Sequence, residues 1–292
     1  MKAISWHDLV AEPLLKIEFL IHPYVPRGGT ILLYGKTSIG KSPLTWEMAR
    51  CVGSGDPFFG NATVPGRVLY IELDTPRQLV QPRLEAIVPA QNVWWTFLPS
   101  CHIVTDLRIQ QTLRELQEQV KPDFTIINTL RQVHQGDEKD AALPDRIYKT
   151  FHAIFPQSAN LFVHHDKKTP SQPDSAGEPD EAFSGHQAWY NNVQTGLHLI
   201  RAGSTVPGLL RLVHSKSQVS AKSVPLSLQL DPDGSHLIHY EADRATAVLK
   251  AYYALPEGMG KTDGVRIIAK QLKISERTVW TYLARIELTE DH

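Results

Sequence analysis

Gly35, Gly40, Lys41 and Ser42 stand in the stretch GKTSIGKS, which fits GxxxxGK(S/T), and the apolar run Ile31, Leu32, Leu33, Tyr34 leads directly into it. Residues of these types at this spacing can hold a chain of phosphates. Gly35 and Gly40 admit backbone angles that side chains forbid. The N–H groups of Gly35, Lys36, Thr37, Ser38, Ile39, Gly40, Lys41 and Ser42 can therefore turn inward toward an anion. Lys41 reaches the outer phosphates and the Ser42 hydroxyl ligates Mg²⁺. A helix opening near Gly40 adds about 0.3–1 kcal/mol of charge–dipole attraction at an exposed site. Pro43 falls in the first helical turn, where a missing donor costs little. Four fixed positions behind a strand argue against a glycine-rich turn that fits the pattern by chance.

Phosphate binding alone does not break a phosphoanhydride. Hydrolysis also needs a carboxylate to orient water, a group on the Mg²⁺ side, and a sensor of the terminal phosphate. Alternation along RVLYIELD sets Leu69, Ile71 and Leu73 on one side and Tyr70, Glu72 and Asp74 on the other. Ligands of open α/β sheets bind at the carboxyl ends of strands, which favours Asp74 over Glu72 for the water. Capping of the following helix is the structural alternative, and Asp74 before Thr75 and Pro76 suits it as well. The run DFTIIN ends in Asn128, which can accept a bond from a metal-bound water but brings no charge. Metal affinity and rate should fall, and Asn128→Asp is expected to raise Mg²⁺-dependent hydrolysis. LFVHH ends in His164 and His165, where a side chain can reach the terminal phosphate. A metal bound by this pair would lack further ligands at suitable spacing beyond Asp166.

The elements that must position these groups alternate between apolar runs and helical stretches. Arg67 to Leu73, PRQLVQPRLEAIV, Asp123 to Asn128, a helical segment and LFVHH follow the phosphate loop in that order, which implies a parallel sheet covered on both faces. Asp166 to Ala182 is rich in Pro, Ser, Gly and Asp and reads as a long mobile loop. TGLHLIRA, GLLRLVHSKS, VPLSLQLD and SHLIHYE read as four antiparallel strands finishing the sheet. Near Glu241 the pattern turns helical, so residues 1–240 form one domain and 241–292 a second. The 292 residues, 42% hydrophobic and 21% charged, suffice for one large domain and a small one. A net charge of −1 neither supports nor excludes a polynucleotide partner. Cys51 and Cys101 lack CxxC partners, the N-terminus is acidic, and no run is apolar enough to span a membrane. The expectation is a reduced, cytoplasmic protein without structural zinc. Trp94, Trp95 and Trp189 show no cofactor spacing and are read as core or interface residues.

In order and spacing, GKTSIGKS, VLYIELDTPRQLVQPRL, FTIINTLRQVHQGDEKDAA, LFVHHDKK, FSGH and RLVHSKSQ resemble the RecA-like ATPases. Within them the likeness is to plasmid RepA and DnaB-type replicative helicases and their phage and mobile-element relatives, over about residues 10 to 240. The resemblance implies a RecA-like α/β core with a mainly parallel sheet, ATP with Mg²⁺, and a homo-oligomer, hexameric in the helicase case. By resemblance Asp74 takes the place of the catalytic glutamate as a shorter acid, and His165 that of the γ-phosphate sensor. Ser42 and, through water, Asn128 would hold the metal. The loop from Asp166 would line a DNA path, where Lys167 and Lys168 meet phosphates. Lys216 matches a lysine supplied across the subunit interface, while Gln218 replaces the arginine that usually follows it. Such an arginine is worth about 10³–10⁵ in rate, so Gln218 and Asn128 together imply slow turnover.

Residues 258–286 read GMGKTDGVRIIAKQLKISERTVWTYLARI. Val265, Ile268, Ala269 and Leu272 share one helical face. Lys273 and Ile274 form a turn, and Ser275 caps a second helix with Val279, Leu283 and Ile286 inward. This is a helix-turn-helix layout, with Glu276, Arg277, Thr278, Thr281 and Arg285 outward. Six basic residues against two acids between Met259 and Ile286 suit contact with DNA, although such modules also serve protein contacts. Trp280 reads as core ahead of a stacking platform. The leading expectation is an ATP-driven, helicase-like motor on single-stranded DNA in replication or recombination. The alternative is a nucleotide-dependent DNA-binding or loading protein with slow turnover. A small-molecule kinase ranks last, since no arginine-rich lid is evident.

Overall fold

The computed structural model describes residues 3–166 except 15, 86 and 100, then 186–202, 208–231, 234, 236–239, 248, 251, 252, 255, 259–272, 276, 279, 280 and 283. Lys167, Lys168, Arg277, Thr278 and Arg285 lie outside the described residues, as do Phe183 to Gly185 and the proposed turn at Lys273 to Ser275.

A short helix α1 (Trp6–Ala11) and a two-stranded ribbon, β1 (Phe19–Ile21) with β2 (Val25–Pro26), precede the main sheet. The core then runs through β3 (Thr30–Gly35), α2 (Lys41–Ser54), β4 (Val68–Glu72), α3 (Arg77–Leu84), β5 (Val93–Phe97), α4 (Leu107–Val120) and β6 (Phe124–Asn128). A 3₁₀ turn (Leu130–Val133), α5 (Leu143–Ile154), β7 (Ala159–His165) and α6 (Ala188–Asn191) follow. The series closes with β8 (Thr195–Arg201), β9 (Leu209–Ser217), β10 (Leu226–Leu230), β11 (Leu237–His239) and α7 (Lys261–Leu272). Among the described residues nine strands form one sheet in the order β11-β10-β9-β8-β3-β7-β6-β4-β5. The pairs from β8 through β5 are parallel, and β8–β9, β9–β10 and β10–β11 are antiparallel.

Three of these features depart from the sequence expectation. The run TGLHLIRA is parallel to β3 on one side, so only three runs finish the sheet in antiparallel fashion. The strand β5 and the helix α4 were not expected at all. VWWTF is half-buried on an edge, where its aromatics resemble stray core residues. Trp95 in fact stacks on Tyr70 of β4 at 4.1 Å, and Trp189 is fully buried.

Alternation divides the sheet into two packed faces, which is why its central strands are apolar throughout. Ile31, Leu33, Val68, Tyr70, Phe124 and Ile126 join Leu44, Met48 and Val52 of α2 on one face. Leu32, Tyr34, Leu69, Ile71, Ile127 and Phe162 meet Leu113 of α4 and Ile147 and Phe151 of α5 on the other. Register then aligns the strand ends: Gly35 pairs with His165 and with Leu199, and Glu72 pairs with Asn128.

His214 of β9 supplies a pH test of the fold. It is 2% exposed, and its Nδ1 accepts the Ser223 N–H at 3.3 Å, which requires an unprotonated nitrogen. Burial, with Lys222 nearby, holds its pKa below the usual 6.5. The unfolded chain therefore binds the proton more readily, and stability is lost as pH falls below 6.5 toward the lowered value. Melting temperature should decline over that window, and His214→Gln should make the decline shallower; an unchanged slope would contradict the assignment.

Candidate functional site

Between β3 and α2 the chain makes a tight turn whose two glycines serve different ends. Gly40 has φ of 110°, which side chains disfavour, and Ser38 also lies in the left-handed region at 58°. Gly35 was expected to need an unusual backbone angle, but its requirement is space. A Cβ there would meet the Leu199 carbonyl oxygen at 2.5 Å. Gly40 caps α2 without any side-chain hydrogen bond, so the first-turn amides of Lys41 and Ser42 receive no side-chain cap. This is the geometry of a helix terminus prepared for an anion.

Lys41 is 6% exposed, and its ammonium donates to the carbonyls of Gly35 at 2.7 Å and Lys36 at 2.8 Å. Burial lowers its pKa to about 8, opposed by the charges of Asp166 and Asp74. His165 Nδ1 lies 3.4 Å from Lys41 Nζ and 3.4 Å from Thr37 Oγ1. Burial first, and Lys41 second, hold the imidazole below its usual pKa, so it is neutral at pH 7. Because an ammonium only donates, Nδ1 accepts and Nε2 carries the proton.

Glu72 and Asp74 separate into different environments. The buried Glu72 carboxylate accepts from the Asp74 N–H at 3.1 Å, the Thr75 N–H at 2.9 Å and Asn128 Nδ2 at 2.8 Å. Desolvation raises its pKa against those three bonds. Neither acid caps the following helix, whose N-cap is Pro76 without a side-chain hydrogen bond; Glu72 instead ties down the two residues that lead into that helix. Asp74 is exposed, accepts from Gln132 Nε2 at 3.2 Å, and acts electrostatically on both Lys41 and His165. Asn128 is 2% exposed, and its amide nitrogen faces a carboxylate that can only accept. Its amide oxygen therefore points away from Glu72. Ser42 is half-buried, and its carbonyl accepts from Thr45, whose hydroxyl lies 2.8 Å from Tyr70 Oη.

Lys216 stands further off along β9. Its ammonium donates to the carbonyls of Tyr190 at 3.0 Å and Asn191 at 2.8 Å, at the end of α6 in the same chain. Reaching a neighbour would require releasing both bonds. Asp166 donates its N–H to the Gly35 carbonyl at 3.2 Å and places Oδ2 3.2 Å from His198 Nε2, whose ring stacks on Tyr34 at 4.3 Å. Sequence reading passed over His198 and Gln132. A polar residue inside the apolar run of β8, and a glutamine four positions beyond a strand end, were the available signals.

The donors fit a nucleoside triphosphate: uncapped helix amides, a buried ammonium, and a neutral imidazole beside it. For Mg²⁺ the fit is leaner, with the Ser42 hydroxyl in the first turn of α2 and Asn128 at the end of β6 as uncharged groups, and phosphates would supply the remaining charge. Among the described residues no group of three His, Cys, Asp or Glu side chains is placed to hold a metal. Cys51 and Cys101 are buried and free, and no described helix is long and apolar enough to cross a membrane.

In the C-terminal region Val265, Ile268 and Ala269 of α7 cluster with Val248, Ala251, Val279 and Leu283. Trp280, expected in the core, is instead 38% exposed, with Lys261 Nζ 5.8 Å from its ring.

Residues 1–171 match the profile of the AAA domain family AAA_25, more than half of the chain. Among curated proteins none matches the chain. Solved structures do. A KaiC-like protein from the hyperthermophilic archaeon Pyrococcus horikoshii OT3 superposes with a TM-score of 0.54 at 9% identity, covering 77% of this chain and 98% of that one. The ATPase domain of the protein G40P superposes with a TM-score of 0.57 at 10% identity, covering 73% of this chain and 85% of that one. Turn, strand ends and profile agree: the chain belongs to the AAA domain family and has the fold of the RecA-like P-loop ATPases.

Proposed function

We propose that this protein is an ATP hydrolase that acts on DNA as a helicase-like motor, working as a homo-oligomer on single-stranded DNA. The observation that carries the reading is the junction at His165, where one ring nitrogen lies 3.4 Å from both the Lys41 ammonium and the Thr37 hydroxyl. A group so placed feels any anion that draws Lys41 away. It also sits one residue before Asp166, from which the chain leads into Lys167 and Lys168.

In this reading the amides around Lys41 and its ammonium hold the outer phosphates, and Asp74 orients the attacking water. Ser42 and Asn128 hold Mg²⁺, which when bound neutralises charge on the phosphates. His165 reports phosphate state to the segment that follows, where Lys167 and Lys168 meet DNA, with Arg277, Thr278 and Arg285 as further DNA contacts. Lys216 would act across a subunit boundary after leaving α6.

A second reading has a specific observation in its favour. Asn128 is uncharged and its amide is committed to Glu72, which suits a nucleotide-dependent DNA-binding or loading protein that turns over slowly. ATP hydrolysis measured with and without single-stranded DNA, alongside oligomeric mass, separates the two. Stimulation by DNA supports the motor; negligible turnover with nucleotide-dependent assembly supports loading. Asp74→Asn should lower kcat by about 10²–10⁴-fold, the usual contribution of a positioned base. ATP affinity should be unchanged. A variant with full kcat would remove Asp74 from the mechanism.

A further inference from the structure

Asp74 is exposed, and an exposed aspartate ordinarily turns freely about its side-chain bonds. Here contacts from the β6 end hold it. The Leu73 N–H donates to the Asn128 carbonyl at 2.7 Å, and the Asp74 N–H donates to Glu72, which Asn128 Nδ2 steadies. The carboxylate is held separately, by Gln132 Nε2 at 3.2 Å on Oδ1.

Gln132 projects from a turn that is already secured by its backbone. Its N–H donates to the Thr129 carbonyl at 3.1 Å, and its carbonyl accepts the Cys101 N–H at 2.8 Å. The 3₁₀ turn is thus secured by backbone bonds of its own, and the side-chain amide extends from that base toward an acid that acts on both Lys41 and His165. A base must lie within about 2.6–3.2 Å of the proton it takes, and a misplacement of about 1 Å can cost on the order of 10²-fold in rate.

We propose that Gln132 is a positioning residue for hydrolysis: it fixes Asp74 through Oδ1 and so presents the other carboxylate oxygen to the attacking water. This rests on the reading of Asp74 as the water-orienting acid. Gln132 itself touches neither water nor phosphate in this scheme, so its effect on the chemical step should pass through Asp74.

The experiment is steady-state and single-turnover ATP hydrolysis by the full chain with Mg²⁺, for wild type, Gln132→Met, Gln132→Glu, Asp74→Asn and Gln132→Met/Asp74→Asn. Gln132→Met keeps side-chain length and removes the donor; kcat should fall about tenfold, within the range of a hydrogen bond to a charged group. KM for ATP and the melting temperature should hold. Gln132→Glu sets carboxylate against carboxylate in an isosteric frame and should be slower still. In the Asp74→Asn background, Gln132→Met should cost nothing further. A wild-type kcat in Gln132→Met, or the same fold-loss in both backgrounds, would overturn the proposal. Should Gln132→Met not fold, the isosteric Gln132→Glu decides alone, wild-type kcat again counting against. Wild-type turnover in Asp74→Asn would instead sink the reading of Asp74, a result distinct from either of those.

Discussion

Lys41→Ala abolishes nucleotide binding and hydrolysis and leaves the fold intact. Affinity for ATP in Mg²⁺ should drop by at least about 10²-fold, the scale on which removal of a preorganised charge-stabilising donor acts. The fold survives because the ammonium is a costly guest. It is 6% exposed, and burial has lowered its pKa to about 8 from 10.5. A cation held less readily folded than unfolded diminishes stability at neutral pH, and the diminution lifts as pH rises from about 8 toward 10.5. Alanine removes the charge and two hydrogen bonds of about 1 kcal/mol each, while the Gly35 carbonyl keeps its bond from the Asp166 N–H. The melting temperature should therefore change little at pH 7, and its rise between pH 8 and 10 should flatten. Binding of a fluorescent ATP analogue checks the first part and thermal melts the second. Retained affinity in the folded variant would refute the site.

Much of this was legible beforehand because the informative residues obey short-range rules. The phosphate loop announces itself through glycine spacing. The two faces of the sheet follow from alternation in VLYIE, which the separate cores around Tyr70 and around Leu69 with Ile71 reproduce. What escaped depends on contacts between segments remote in sequence. Gly35 was assigned a backbone reason, yet its space is set by Leu199, far along the chain. Edge strand β5 has aromatics packed on one side only, so neither alternation nor a continuous apolar run marks it. Glu72 and Asp74 are equivalent by strand parity; the Thr75 N–H and the amide of Asn128 make Glu72 a buried strut, while Asp74 stays exposed and acts on Lys41 and His165.

That strut reverses the substitution the sequence recommends for restoring metal affinity. Asn128→Asp would place a carboxylate 2.8 Å from the Glu72 oxygen that now receives an N–H. Two buried carboxylates at that distance do not both ionise, so the pair must retain a proton that the unfolded chain has lost. The folded state then binds more protons than the unfolded one near neutrality, and stability falls as pH rises. Asn128→Asp should be destabilised by about 1–3 kcal/mol at pH 8, partly recovered toward pH 5, with no gain in hydrolysis. Glu72→Gln alone meets the opposite difficulty: its oxygen serves the Asp74 and Thr75 amides, so its NH₂ faces the NH₂ of Asn128. Combining them resolves both, because the new glutamine donates to the new aspartate. Glu72→Gln/Asn128→Asp should return stability to within about 0.5 kcal/mol of wild type, a coupling of about 1–3 kcal/mol between the two positions. It also leaves an anionic carboxylate at the end of β6, so the Mg²⁺ concentration for half-maximal hydrolysis should fall in the double variant and not in Asn128→Asp. Denaturant melts of the four proteins give the coupling directly. Additive losses would mean that the bond between Asn128 and Glu72 does not govern which charge this strand end can carry.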